Sequence, residues 1–235
     1  MKPFRPLILV LSAYFFVAAA LTVQVRAQAQ SQIEDNSQTA AHFQAGIAAY
    51  QANDLPLAYK EFLAAAEQGD ADSQFNVALM YEQGLGVGKD EQEAVVWYGK
   101  AAAQGNSAAQ YNLGVLYENG RGTTIDYAKA NEWYRKASAQ GDALAIGNLG
   151  MLYVRGQGVQ ENKVAGLALL LVSATRDPSP ENNAKRNIAA TRGLTAEMIG
   201  AAQTLAEELS SAQNLLVPLD QYLQSAGSGG YLGSE

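Results

Sequence analysis

Apolar and polar positions follow a helical spacing along most of the chain, and this spacing itself recurs. Residues 71–106 and 107–142 align without a gap, and a third copy begins at Ala143. Within a copy, apolar side chains return after three or four residues, as at Val77, Met80 and Tyr81, which predicts amphipathic helices. A single copy is too short to bury its apolar face alone, so the copies are predicted to stack into a solenoid with one continuous core.

Two turns interrupt every copy. The first places Asp or Asn directly after Gly, at 69–70, 105–106 and 141–142. Gly adopts the left-handed conformation that ends one helix, and the next side-chain oxygen caps the following helix. The second turn contains Gly-x-Gly at 84–86, 120–122 and 156–158, and a further cap follows at Asp90, Asp126 and Asn162. A phosphate-binding loop would follow a strand, so the Gly-x-Gly segments are predicted to be structural turns.

The recurring large and small apolar residues are expected to form the core. The second helix of two copies carries Trp97-Tyr98 and Trp133-Tyr134, whose aromatic rings are expected to be buried. The third copy has Leu169 and Leu170 there, within a run that is apolar on all sides and is therefore expected to be fully buried. The first helices share a small residue, at Ala78, Gly114 and Gly150, which would let a neighbouring helix approach closely.

The most regular copy resembles a known repeat. Leu113-Gly-x-x-Tyr117, Gly120-x-Gly122, Asp126 and Ala130-x-x-Trp133-Tyr134-x-Lys136-Ala137 are similar to Sel-1-like repeats (SLR), a branch of the tetratricopeptide-repeat (TPR) superfamily. The earliest copy looks more like an ordinary TPR. The resemblance covers roughly residues 40–175 and implies an all-α fold, a right-handed α-α superhelix of helix pairs with a C-terminal helical cap.

The N-terminus carries the pattern of a secretory signal. Lys2 and Arg5 precede an uncharged stretch over residues 7–25, and small residues around Ala27 and Ala29 suit cleavage after either of them. An uncleaved membrane anchor is the alternative. The predicted organisation begins with a signal peptide at 1–27 and a polar linker at 28–38. A solenoid is predicted at 39–176, with copies at 39–70, 71–106, 107–142 and 143–176. Capping helices are predicted at 177–224, with helical segments near 181–192 and 196–210, and a disordered tail at 225–235.

Composition excludes several kinds of chemistry. The chain has 23 Asp and Glu against 16 Lys and Arg, a formal net charge of −7, and no Cys. An acidic chain without a basic cluster is a poor nucleic-acid binder, and disulfides and thiolate metal sites are impossible. His42 is the only His and is expected on the surface. Glu207 and Glu208 are adjacent on a helix and point in different directions, so they form no acid–base pair. We expect no catalytic site, cofactor or metal.

The resemblance implies an adaptor or scaffold that binds protein on the concave face, which the first helices line. The expected function is that of an exported, periplasmic or secreted, adaptor or regulator of the bacterial cell envelope. The alternatives are a cell-wall or β-lactam hydrolase of the SLR type and a membrane-tethered envelope assembly factor. For Phe75, Tyr111 and the aliphatic positions, packing between neighbouring first helices is an alternative to binding. The candidate protein-binding residues are Asp72, Phe75, Leu79, Glu82, Gln83, Tyr111, Val115, Glu118, Asn119, Met151, Val154 and Arg155.

Overall fold

The structure, a computed structural model, describes the backbone of residues 8–228 and the side chains of residues 28 and 30–226. This part of the chain is all-α, as predicted, with eleven helices and no strand. The helices are α1 (Ile8–Gln51), α2 (Leu55–Glu67), α3 (Ala71–Gln83), α4 (Glu91–Ala103), α5 (Ser107–Asn119), α6 (Tyr127–Ala139), α7 (Ala143–Arg155), α8 (Lys163–Arg176), α9 (Ala184–Ala190), α10 (Ala196–Ser211) and α11 (Leu216–Ser228).

Within the repeats, each helix packs mainly against its neighbours along the chain, whereas α10 of the C-terminal end packs mainly against α8. The pairs α1–α2, α3–α4, α5–α6 and α7–α8 form the repeating units, and α2, α4 and α6 also pack against the first helix of the next unit. This nearest-neighbour packing is that of a solenoid and confirms the predicted stack of helix pairs. We call α1, α3, α5 and α7 the first helices and α2, α4, α6 and α8 the second helices.

The predicted caps are present at both ends of the first helices. The side chain of Asp70 accepts from the backbone N–H of Ser73, and Asn106 and Asp142 accept in the same way from Ala109 and Ala145. These three helices end at a glycine in the left-handed region, with φ between 65° and 73°. Asp90, Asp126 and Asn162 cap the second helices. Helix boundaries in the repeats are therefore set by local capping.

The second glycine of each Gly-x-Gly turn has a role that the sequence did not predict. A Cβ on Gly122 would lie 2.0 Å from the carbonyl oxygen of Glu91, and one on Gly86 would lie 2.2 Å from that of Leu55. Each turn thus packs directly on the start of the second helix in the preceding repeat. Any side chain would separate the two repeats, so this glycine holds the stack together.

The core follows the repeat with two exceptions, Leu171 and Trp133, which are only partly buried. Tyr98, Tyr134 and Leu170 are fully buried, and a Cβ on Gly114 would lie 2.6 Å from the ring of Tyr134, which confirms the small-residue position. Trp133, by contrast, was expected in the core and is only partly buried. It lies at the edge of the core, with the Lys136 ammonium 4.0 Å from its ring centroid.

Glutamine side chains link successive repeats. Gln104 Nε2 donates to the Gly69 carbonyl oxygen at 2.9 Å and to Gln74 Oε1 at 2.8 Å. Gln140 makes the equivalent bonds one repeat later, to Gly105 and Gln110. The buried Gln74 also donates to the Ala66 carbonyl oxygen. These bonds satisfy buried polar groups and fix how one repeat sits on the next.

The N-terminal end is a long helix. Residues 28–38, predicted to be a polar linker, lie within α1, and their described side chains are exposed. The predicted signal peptide, residues 1–27, lies outside the described residues at 1–7 and outside the described side chains at 8–27. Among the described residues, no helix is long and apolar enough to cross a bilayer.

The C-terminal end contains three helices where two were predicted. α9 and α10 correspond to the predicted segments, although α9 is shorter than expected. α11 was missed and reaches Ser228, so residues 225–228 are helical rather than part of a disordered tail, and residues 229–235 lie outside the described residues. Both carboxylate oxygens of Asp220 on α11 accept from Arg135 Nη2 on α6, each at 2.7 Å. This ion pair ties α11 to the repeats.

Candidate protein-binding surface

The candidate residues lie on α3, α5 and α7, and we call the surface that they form the first-helix face. Phe43, Phe75 and Tyr111 occupy equivalent positions in successive repeats, and each ring makes a tilted contact with the aromatic residue of the partner second helix. The central positions are Leu79, Val115 and Met151, followed by Glu82, Glu118 and Val154 and then by Gln83, Asn119 and Arg155. In the first copy these positions hold Ile47, Tyr50 and Gln51.

The two glutamates of this face are engaged inside the fold. Tyr98 Oη donates to Glu82 Oε2 at 2.7 Å, and Tyr134 Oη donates to Glu118 Oε2 at 2.6 Å. Burial, and then the neighbouring carboxylate, raises the pKa of each of these tyrosines. Glu82 also accepts from Arg121 at 2.9 Å. Both glutamates were candidate protein-binding residues, but their carboxylates accept hydrogen bonds from buried hydroxyl groups and are therefore not free.

The aromatic candidates Phe75 and Tyr111 pack against residues of the core. Phe75 and Tyr111 are half-buried, and their ring centroids lie 5.7 Å and 6.1 Å from those of Tyr98 and Tyr134. Packing, the alternative considered for these positions, therefore accounts for much of both rings.

Polar candidates at the edge of the face are more accessible. Asp72, Gln83 and Asn119 are exposed. Asp72 accepts from Asn106 Nδ2 at 2.9 Å, and Asn119 Nδ2 donates to the carbonyl oxygen of Val115 at 2.9 Å. Of the three, Gln83 forms no hydrogen bond to any described residue. These side chains can be approached by a partner without disturbing the core.

The tyrosine–glutamate pair is absent at both ends of the row of repeats. In the first copy Phe62 replaces the tyrosine and Tyr50 replaces the glutamate, and in the last copy Leu170 and Val154 stand in their places. Neither end has a buried tyrosine hydroxyl group at this place, and neither has a carboxylate at the position equivalent to Glu82. Both ends of the face carry a groove at this point.

The N-terminal groove has a volume of about 360 Å³ and lies between α1, α2 and α3. Its accessible lining is mainly apolar, and Tyr50 is 47% exposed at its edge. Exposed aromatic and aliphatic side chains around a groove favour protein binding. The lining residues are Phe43, Ile47, Tyr50, Gln51, Phe62, Asn76, Leu79 and Met80.

The C-terminal groove, of about 410 Å³, lies at the other end of the face. It brings together the three candidates from α7, Glu161 and Lys163 around the start of α8, and residues of α9 and of the segment after it. Its character differs from that of the first groove because three basic side chains border it. The lining residues are Met151, Val154, Arg155, Glu161, Lys163, Asn187, Ala190, Thr191 and Arg192.

Comparison with known proteins identifies the repeat. The Sel1 repeat family matches residues 71–106, 107–142 and 143–177. The chain contains three Sel1 repeats, over residues 71–177. It belongs to the TPR-like superfamily, and Sel1-repeat proteins generally act as protein-interaction scaffolds. No curated protein matches the chain significantly.

Two solved structures resemble this protein. A Sel1 repeat protein from Oxalobacter formigenes is 32% identical, over 63% of this chain and 64% of that one, with a TM-score of 0.53. The protein c5321, a protective antigen present in uropathogenic Escherichia coli strains and displaying an SLR fold, is 28% identical, over 83% of this chain and 47% of that one, with a TM-score of 0.57. The chain therefore spans less than two thirds of either protein.

The sequence predicts no chemistry for three titratable side chains outside the first-helix face, those of His42, Glu207 and Glu208. His42 Nδ1 lies 2.7 Å from Glu61 Oε2, joining α1 to α2. Among the described residues, no group of three or more His, Asp or Glu side chains could hold a metal ion. Glu207 and Glu208 are exposed, as expected.

Of the groove linings, the sequence predicted only Leu79 in the N-terminal groove and Met151, Val154 and Arg155 in the C-terminal groove. Phe43, Ile47 and Tyr50 belong to a copy with a shorter loop, and their equivalence to the later repeats is visible only after that loop is taken into account. The walls contributed by α9 lie outside the repeats altogether. One signal was available in the sequence. The two regular copies carry a glutamate and a tyrosine at the positions where the first copy has Tyr50 and Phe62.

Proposed function

We propose that this protein is an exported scaffold that binds a segment of a partner protein along its first-helix face. The observation that carries the proposal is the pair of grooves at the two ends of that face, each opening where the tyrosine–glutamate pair is missing. The scaffold role of Sel1-repeat proteins in general supports it. The expected site of action is the cell envelope, which rests on the predicted signal peptide.

The chemistry of the face suits a peptide segment better than a small molecule. Between the two grooves, the intervening repeats carry exposed side chains on the same face, including Gln83 and Asn119. An amphipathic helix or an extended segment contacts such a surface through side chains at regular intervals. Tyr50 and Leu79 offer apolar contacts at one end, whereas Arg155 offers a charged contact at the other.

Site-specific photo-crosslinking tests the binding face. A photoreactive amino acid would replace Gln83 or Asn119 on the face, and Gln92 on the exposed side of α4 would serve as the control position. After irradiation with a bacterial envelope extract, we expect both face positions to capture the same partner and Gln92 not to capture it. Capture of that partner from Gln92 alone would place the binding surface on the second helices, and absence of capture from the face would contradict the proposal.

N-terminal sequencing of the protein recovered from cells tests export. Cleavage after Ala27 or Ala29 would leave Gln28 or Gln30 as the first residue. An intact N-terminus on membrane-associated protein would instead favour a tethered assembly factor.

A further inference from the structure

The C-terminal groove is basic within an acidic protein. Residues 155–192 contain six Lys and Arg against three Asp and Glu, whereas the whole chain has 16 against 23. Three of the six basic side chains, those of Arg155, Lys163 and Arg192, border the groove, and Glu161 is the only acid among its lining residues. Positive charge is thus concentrated at one end of the first-helix face.

Two of these cations lack an internal partner. Arg121 and Arg135 are held by carboxylates of the fold, at 2.8 Å and 2.7 Å. Arg155 and Arg192, by contrast, are exposed and form no ion pair with any described residue. Lys163 Nζ lies 3.6 Å from Glu161 Oε1, a long contact. Guanidinium groups that are not used for structural pairing are free to bind a carboxylate in bidentate fashion.

The remainder of the groove combines an apolar floor with polar groups. Met151, Val154 and Ala190 contribute aliphatic surface. The side-chain amide of Asn187 has no hydrogen-bond partner among the described residues, and Thr191 Oγ1 donates to the Asn187 carbonyl oxygen at 2.8 Å. Arginines around an aliphatic floor match a peptide whose acidic residues alternate with apolar ones.

We infer that the C-terminal groove binds acidic side chains of a partner peptide, with Arg155 and Arg192 as the principal contacts. The inference rests on the proposed function, because it assigns a chemical character to the segment that lies on the first-helix face. A nucleic acid does not fit, because the acidic remainder of the chain would repel a polyanion. Free phosphate would leave the aliphatic floor unused.

Fluorescence anisotropy with a defined probe tests the inference. The probe is a short fluorescein-labelled peptide of alternating leucine and glutamate, with an amidated C-terminus so that side-chain carboxylates alone are measured. We expect Arg155→Gln and Arg192→Gln each to weaken binding about tenfold, as expected for loss of a charge-assisted hydrogen bond. Binding should also weaken as salt is raised.

The matched control variant is Arg186→Gln on α9. It removes the same charge from the same end of the protein, but Arg186 is exposed and does not line the groove. Its affinity for the probe should remain within about twofold of the wild-type value, because an exposed charge that does not line the groove is screened by water and salt. Circular dichroism of all three variants would show whether the fold is retained, and Arg155→Lys offers a second, conservative change that should lose less affinity than Arg155→Gln.

The inference would be overturned by no binding of the acidic probe by the wild-type protein, by equal binding of a leucine–glutamine peptide, or by equal loss of affinity in Arg186→Gln. Displacement of the probe by inorganic phosphate alone would instead indicate a simple anion site and would also overturn it. Crosslinking from Gln83 and Asn119 is independent of these measurements. Failure of the acidic probe with successful crosslinking would therefore reject the acidic partner and leave the binding face standing.

Discussion

The buried tyrosine–glutamate pair gives a quantitative test of how the repeats are held together. Tyr134→Phe would remove the hydroxyl that donates to Glu118 at 2.6 Å and accepts from Asn148 Nδ2 at 3.1 Å. A hydrogen bond to a charged group contributes about 1.5–3 kcal/mol. Glu118 is only half-buried and can regain some water, so we expect a loss near the lower end, about 2 kcal/mol. For a domain of this size the melting temperature would fall by roughly 4–8 °C.

A double-mutant cycle isolates the pair itself. The last repeat carries Leu170 and Val154 at the two equivalent positions, which shows that the fold accepts the pair replaced by apolar residues. Glu118→Val should therefore be less damaging when Tyr134 is already Phe than when the hydroxyl is present. We expect a coupling energy of about 1–2 kcal/mol from urea unfolding followed by circular dichroism.

Tyr127→Phe is the control for loss of a phenolic hydroxyl. Tyr127 is partly buried and its hydroxyl has no hydrogen-bond partner among the described residues, so its removal should change the free energy of unfolding by less than about 0.5 kcal/mol. Additive effects of Tyr134→Phe and Glu118→Val would refute the reasoning, since the carboxylate would then serve no hydroxyl. A Tyr134→Phe variant as stable as the wild type would refute it equally.

Two further substitutions test the turns and caps. Gly122→Ala should lower the free energy of unfolding by at least about 2 kcal/mol, because φ is +65° and the new Cβ would meet the Glu91 carbonyl oxygen. The control Gly88→Ala, with no atom within 4 Å of its Cβ, should change it by less than about 0.5 kcal/mol. Equal melting temperatures of the two variants would contradict this prediction. Burial raises the pKa of the Asp142 carboxyl, so the folded state disfavours its charged form and wild-type stability falls as pH rises from the unfolded pKa through the folded one. In urea titrations, Asp142→Asn should be as stable as the wild type below the ordinary pKa of Asp and more stable than the wild type at neutral pH. A variant that becomes less stable than the wild type as pH rises would contradict this prediction.

Local signals made the repeats predictable. Asp70 and Gly84 act on backbone groups within a few residues of themselves, so their meaning could be read from spacing alone. The stacking role of Gly122 could not, because the atom that excludes a side chain there belongs to Glu91 in the preceding repeat. Sequence spacing predicts that such a glycine turns the chain, and only packing shows what it touches.

The candidate surface was predictable in position and less so in chemistry. Glu82 and Glu118 recur on the expected face, but each accepts a hydrogen bond from a tyrosine 16 residues away on the other helix. The missed helix α11 has a similar cause. Pro218 and Gly227 make its sequence a poor helix former, and the helix is tied in place through Asp220 by an arginine 85 residues earlier.

The two grooves together would give the first-helix face a direction. The N-terminal groove offers Phe43 and Tyr50 to apolar side chains, whereas the C-terminal groove offers Arg155 and Arg192 to carboxylates. A partner segment with apolar residues at one end and acids at the other would satisfy both grooves in one orientation only. Reversed, it would place its acids against an apolar groove and leave both arginines without a partner, which loses both interactions. Orientation therefore depends on the ends of the solenoid, where the repeats depart from their own pattern, because Glu82 and Glu118 between them already accept hydrogen bonds from buried tyrosines.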